Sequence, residues 1–372
     1  RAPHAKRTRA AWLVDDGRGG GVVRWSPATT RELQAVAVAV LASFAVGSAL
    51  MLAYGVAPGG VWLAMFEETT RDPYAFGQML YKATALVLCG LAVSVALDAG
   101  LFNIGAEGQM TAGVLACAVL GAMLPAETPA FLAIPLCLAA AAGGGAVIGA
   151  LIGLLRAKRR AHEVITSIML NYIVAGVALW IGNAVLFQGG TTRGGQIAPG
   201  ATLPDLGLAG SAANWSVAIA ITCVLVLWAL RSRTTWGLAW RAVGQDADAA
   251  RSVGIDVSRV QIRVMTGAGA LAGLAAANFV MGHKHAFEEG LGRGTGFIAI
   301  SVALLGRSNP IGVAFAAVAL GFLSAGGLSV GHLVPKELTE MLQGVVVLAV
   351  TISSVWIARR AQRPQAPMGA AP

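Results

Sequence analysis

The feature that most limits this chain is a series of apolar runs, most of about 20 residues, each long enough to cross a hydrocarbon core of roughly 30 Å as a helix. The runs begin with about Leu33–Val56, Met79–Leu97, Ala106–Leu124 and Ala130–Leu155. Val164–Phe187, Trp215–Leu230 and Val264–Gly282 follow, and Gly296–Gly306, Ile311–Ala325 and Leu338–Ala358 close the series. Backbone groups inside a bilayer must be satisfied by their own segment, so the expected fold is all-α, a polytopic membrane protein with about ten transmembrane helices. With 56% hydrophobic and 12% charged residues in 372, no length remains for a soluble catalytic domain. Gly296–Gly306 is short for a span and reads as re-entrant or broken.

Charge placement orients the series. The formal net charge is +9. Most Lys and Arg fall in the segment 1–32, in Arg156–Arg160, in the loop 231–263 and in Arg359–Arg363, which alternate onto one side of the ten crossings. By the positive-inside rule that side is the cytoplasm, with both termini there. Basicity therefore reports topology, and no nucleic acid is expected as a partner. The expected organisation is a disordered cytoplasmic tail over 1–32, a transmembrane domain over 33–358 with an inner loop over 231–263, and a cytoplasmic tail over 359–372. No cleavable signal peptide is expected, because the first apolar run has the length of a span.

Arg241–Ile255, RAVGQDADAARSVGI, is a polar island in an otherwise apolar sequence. It reads as a short helix in which Asp246 caps the N-terminus, Asp248 sits in the first turn, Arg251 in the last, and Gly254 supplies a left-handed stop. Asp246, Ala249, Ala250 and Val253 share one face. A helix lying on lipid would carry bulky apolar residues there; alanine suits close docking of another protein. Trp236 and Trp240 are the better membrane-interface residues.

Asp98–Met110, DAGLFNIGAEGQM, gathers Asn103, Glu107 and Gln109 between two apolar runs. A carboxylate at the start of a span is costly unless it meets a partner, water or a helix N-terminus. Two compatible readings follow: Asn103 and Glu107 cap and tie the following helix, or the segment lines a solute path. EEGLGRGTGF at 288–297 echoes DAGLFNIGAEGQ after a span of opposite direction, the pattern of two inverted, Gly-interrupted repeats. Gly145, Gly149 and Gly153, like Gly269 and Gly273, form small stripes for close helix packing. Asn171 and Asn183 need partners within the membrane or a polar solute.

Several chemistries are disfavoured. No GxxxxGK[ST] loop and no Gly-Lys dipeptide occurs, so the chain holds no phosphate loop of its own. Gly327–Gly331, GLSVG, matches a nucleophile elbow but follows an apolar helix rather than a strand. His283 and His285, two residues apart, do not share a helix face for zinc. Cys89, Cys117, Cys137 and Cys223 sit singly in apolar runs as small hydrophobes. No catalytic residue, metal ligand or resident cofactor is expected.

DAGLFNIGAEGQ, HEVITSIMLNYI (162–173), AVGQDADAARSVGI (242–255) and GFIAISVALLGRSNPIG (296–312), in this order, resemble the permeases of ATP-binding cassette (ABC) importers in the ribose, simple-sugar and nucleoside branch. FNIGAEGQ is most similar to the nucleoside-type members. The resemblance implies a bacterial inner-membrane subunit that translocates a nucleoside or simple sugar by alternating access. It also implies an ATPase partner that binds ATP and Mg, a second permease subunit in a homo- or heterodimer, and an extracytoplasmic substrate-binding protein. The implied ATPase contact is the coupling helix, with Ala242, Gly244, Gln245, Asp246, Ala249, Ala250, Val253 and Gly254. Asn103, Glu107, Gln109 and Asn171 would belong to the substrate pathway. The Arg/Gly-rich segment 1–32 has no counterpart in a typical member. An ion-coupled transporter or channel acting without an ATPase is the alternative, with Asp98 and Glu107 as its titrating carboxylates.

Overall fold

The computed structural model describes residue 41, residues 44–187 and 191–335, and positions 338, 341–345 and 348. The expected tails 1–32 and 359–372, the start of the first span and most of Leu338–Ala358 lie outside the described residues. Among the described residues, the regular structure is helical apart from one two-stranded ribbon. Helix α1 (Phe44–Ala53) meets α2 (Pro58–Arg71) at 117°. The polar segment between the first two apolar runs is thus largely helix, and α2 buries Val61, Met65 and Thr69. Thr69 and Met65 lie against Gly326.

Helix α3 (Pro73–Asp98) starts before the expected Met79, because the Asp72 carboxylate accepts the Tyr74 and Ala75 N–H groups and Pro73 presets the first turn. Next come α4 (Ala106–Met123), α5 (Ala130–Arg159) and α6 (Glu163–Ile181), which continues as one wide turn over Gly182–Leu186. Strand β1 (Arg193–Gln196) precedes α7 (Ser216–Arg233), and two short helices follow, α8 (Thr235–Gln245) and α9 (Ala247–Ser252). Helix α10 (Val257–Gly273) begins before the expected Val264, with Asp256 capping Arg259, and runs on through a wide-turn segment to Lys284. Strand β2 (Ala286–Glu288), α11 (Thr295–Leu305) and α12 (Pro310–Ser329) complete the described fold.

Seven of these helical segments are long and apolar enough to cross a membrane, or eight if α1 and α2 form one span. Helices α3 and α10 form the centre: 83% and 72% of their apolar windows are buried, against 22% for α5, α6 and α7. The small stripes explain the closest packing. A Cβ on Gly145 would overlap the Gly269 carbonyl, and one on Gly149 the Met265 carbonyl, so α5 and α10 touch backbone to backbone. Helix α3 packs chiefly on α12 and α11, and α10 packs most on α5 and to a similar, smaller extent on α3 and α4. Gly100 (φ +71°) and Gly290 (φ +77°) occupy matching left-handed positions in DAGL and EEGL.

Beside the ribbon, the Ile197 N–H bonds the His285 carbonyl and the Ala198 N–H bonds the Gly121 carbonyl near the far end of α4. The chain then reaches Glu107 at the near end of α4 as α11 begins, the Gly294 N–H bonding its carboxylate. Residues 289–294 are a run of tight turns, in which the Leu291, Arg293 and Thr295 N–H groups bond the carbonyls of Glu288, Gly290 and Gly292. The short eighth run forms an apolar helix of 11 residues, too short to cross a membrane unaided.

Candidate functional site

The site grows from the corner between α3 and α4. Asn103 and Gln109 are fully buried and exchange two amide hydrogen bonds, of 2.9 and 3.1 Å. They fix the corner and do not reach open space. Asn171, two turns into α6, accepts the Gly108 N–H at 2.9 Å and donates to the Ile104 carbonyl at 3.1 Å, replacing partners that the bend removes. Glu107 crosses to the other repeat: its two carboxylate oxygens accept the N–H groups of Gly294 and Gly296 at 2.7 and 2.8 Å. A carboxylate at this helix start is doubly favoured, by the orphan N–H groups and by the positive end of α11.

Of the four expected pathway residues, Glu107 and Asn171 therefore line a cavity of about 380 Å³ and Asn103 and Gln109 do not. Tyr172, Phe287 and Phe297 give that cavity aromatic walls, and Glu288, Glu289 and Arg293 its polar rim. A second cavity, of about 800 Å³, shares Arg293 and Phe297 with the first and continues between α3, α11 and α12. The head of α11 thus stands between two open volumes.

The same corner reaches the polar loop between α7 and α10. Arg231, at the end of α7, holds the Asp98 carboxylate through both Nε and Nη2. Gly244 of α8 lies so close to α3 that a Cβ would overlap the Asp98 carbonyl, and Gly100 faces the Gly244 Cα. Beyond this contact α9 stands out as the short helix the sequence indicates. Asp246 accepts the Asp248 and Ala249 N–H groups at 2.9 and 3.0 Å, Asp248 pairs with Arg251, and Gly254 has φ +87°. Its expected face divides, however: Ala250 is buried in the chain's own core, whereas Asp246, Ala249 and Val253 are exposed. Ala242 and Gly244 are half-buried, and Gln245 is exposed.

Several apolar helices of span length beside a small protruding helix suit a transport protein, and the comparison with known sequences gives the family. The family described as "Branched-chain amino acid transport system / permease component" matches residues 75–351. The chain belongs to this permease family. It is 32% identical over 323 residues to the guanosine ABC transporter permease protein NupP of Bacillus subtilis, covering 85% of this chain and 92% of the relative. A glucose ABC transporter permease protein of Haloferax volcanii is 33% identical, over 83% of this chain and 84% of its own length. The nucleoside ABC transporter permease protein NupB of Lactococcus lactis is 29% identical, over 88% and 92%. This permease is accordingly a multi-pass membrane component of a transport system rather than an enzyme.

Sequence reasoning missed Arg231, Arg293 and Phe297. Arg231 carried one usable signal, a charge at the last turn of a span where a partner carboxylate is favoured; Phe297 carried none in so apolar a chain.

Proposed function

We propose that this permease is the membrane subunit through which a nucleoside or simple sugar is imported, driven by a separate ATPase subunit that binds ATP and Mg. The observation that carries this reading is α9: a rigid, capped knob whose exposed Ala249 and Val253 invite a partner, rooted at Gly244 and Arg231 in the corner that also holds the cavity. Motion imposed on α9 would pass through α8 and α7 to α3 and α4, and tilting of these helices would open the cavity to one side and then the other. The relatives named above support the cargo class, and the aromatic walls of the cavity suit a ring-bearing solute.

In this reading α9 faces the cytoplasm of a bacterial inner membrane, with both termini on that side. Arg156, Arg159, Arg233, Arg259 and Arg307 collect at the same end, in keeping with the positive-inside rule. Tyr172 and Phe297, 75% and 50% exposed, border a cavity whose polar groups lipid would not satisfy, so a second permease subunit would cover it. A substrate-binding protein would deliver cargo at the ribbon end. Ion-coupled transport without an ATPase finds less support, because Asp98 and Glu107 are both already held by partners.

The test is Ala249→Arg in the complete complex in proteoliposomes. Guanosine uptake at least tenfold below wild type, with the subunits still co-purifying or the ATPase dissociating, is the expected result. Unchanged uptake would contradict the reading.

A further inference from the structure

The head of a half-helix inside a membrane protein is where an anionic group of a solute is ordinarily held, since free N–H groups and the positive end of the dipole point at it. In this chain the position is taken. We propose that Glu107 sets the charge that the cavity accepts: its carboxylate fills the anion position at the head of α11 from within, so that solute passes uncharged and carboxylates and phosphates are turned away. The proposal rests on the permease reading for its cargo path, but not on which neutral solute is carried.

Three observations carry it. Glu107 is bidentate on two N–H groups, at 2.7 and 2.8 Å, which leaves no room there for a second oxyanion. A Cβ on Gly296 would overlap the backbone of Glu107, so the glycine allows the two repeats to approach until the carboxylate can reach. The rim cations beside this cavity each face a carboxylate, Lys284 that of Glu288 at 3.1 Å and Arg293, more loosely, that of Glu289 at 3.7 Å. What remains open to a solute is the aromatic wall of Tyr172, Phe287 and Phe297 with carboxylate oxygens above it, which act only as hydrogen-bond acceptors. Such a surface matches a neutral ring with hydroxyl or amino donors and repels a second anion.

The test reads the anion position itself. The thermal midpoint of the complete complex in nanodiscs is measured in sodium gluconate, with sodium formate or ribose 5-phosphate substituted at constant ionic strength. Wild type is expected to show no shift with either. Glu107→Ala is expected to melt lower in gluconate and to recover by at least about 2 °C in formate. Glu107→Gln, whose amide fills the space, is expected not to recover. A wild-type midpoint that rises with formate or ribose 5-phosphate overturns the proposal, and so does an assembled Glu107→Ala complex that ignores formate. Should Glu107→Ala fail to assemble, the wild-type arm still decides. Formate reports only on the head of α11, so this result stands apart from the guanosine uptake that judges the cargo.

Discussion

Arg231 and Asp98 lie 133 positions apart, and the guanidinium of the first grips both carboxylate oxygens of the second, closing the end of α7 onto the end of α3. Both side chains are largely buried, at 27% and 13% exposure, so each alone would be a desolvated charge. The pair joins the loop that carries α9 to the corner that carries Glu107.

Removing one partner should therefore cost more than removing both. Asp98→Asn and Arg231→Gln are each expected to destabilise the complex by about 2–4 kcal/mol, with the double variant well short of the sum. Thermal melts of the four proteins check this. In proteoliposomes the single variants should still hydrolyse ATP but lose its stimulation by loaded binding protein.

Gly244 predicts a loss by overcrowding. A methyl group there meets the Asp98 carbonyl and the Gly100 backbone, so Gly244→Ala should reduce uptake at least tenfold while leaving expression near normal. Gly267→Ala is the control: nothing lies within 4 Å of its added Cβ, and uptake should be unchanged.

Asn171 is both a brace and a cavity wall. Asn171→Ala leaves the Gly108 N–H and the Ile104 carbonyl unpaired and should cost about 1–3 kcal/mol, read from the melting of the purified complex. Asn171→Asp keeps the acceptor for Gly108 but sets a buried carboxylate oxygen against the Ile104 carbonyl, so its deficit should be at least as large.

The contact between α5 and α10 separates glycines that must stay from one that need not. Gly145→Ala forces the backbones apart and should lower the melting midpoint by several degrees. Gly143→Ala, with open space around it, should raise stability slightly through helix propensity, by about 0.5–1 kcal/mol.

Much of this arrangement was legible in the residues because it is local. The Asp246 cap and the Gly254 stop follow from side-chain chemistry within one turn, and the structure shows both. The starts of α3 and α10 were displaced because hydropathy alone marks where apolar residues begin, whereas Asp72 and Asp256 start their helices earlier, in polar sequence. The shortness of the eighth run was legible, and the ladder Gly290, Gly292 and Gly294, all at positive φ, shows the turns that lead into it. Partnerships across the fold were not legible. Nothing near Asn103 names Gln109 rather than a solute as its partner, and nothing near Ala250 shows that it turns inward while Ala249 turns out. Period alone placed both alanines on one face, and only the packing of α9 on its neighbours divides them.

The central claim is that α9 is the lever on which an ATPase subunit acts, and Val253, 74% exposed at its end, is the place to ask. A photo-crosslinking amino acid at position 253, activated in intact cells that express the complete transporter, should join this chain to the ATPase subunit, with a yield that changes when ATP is depleted. Crosslinks only to lipid or to the substrate-binding protein, or reaction of Val253→Cys with a membrane-impermeant thiol reagent added outside the cells, would contradict it.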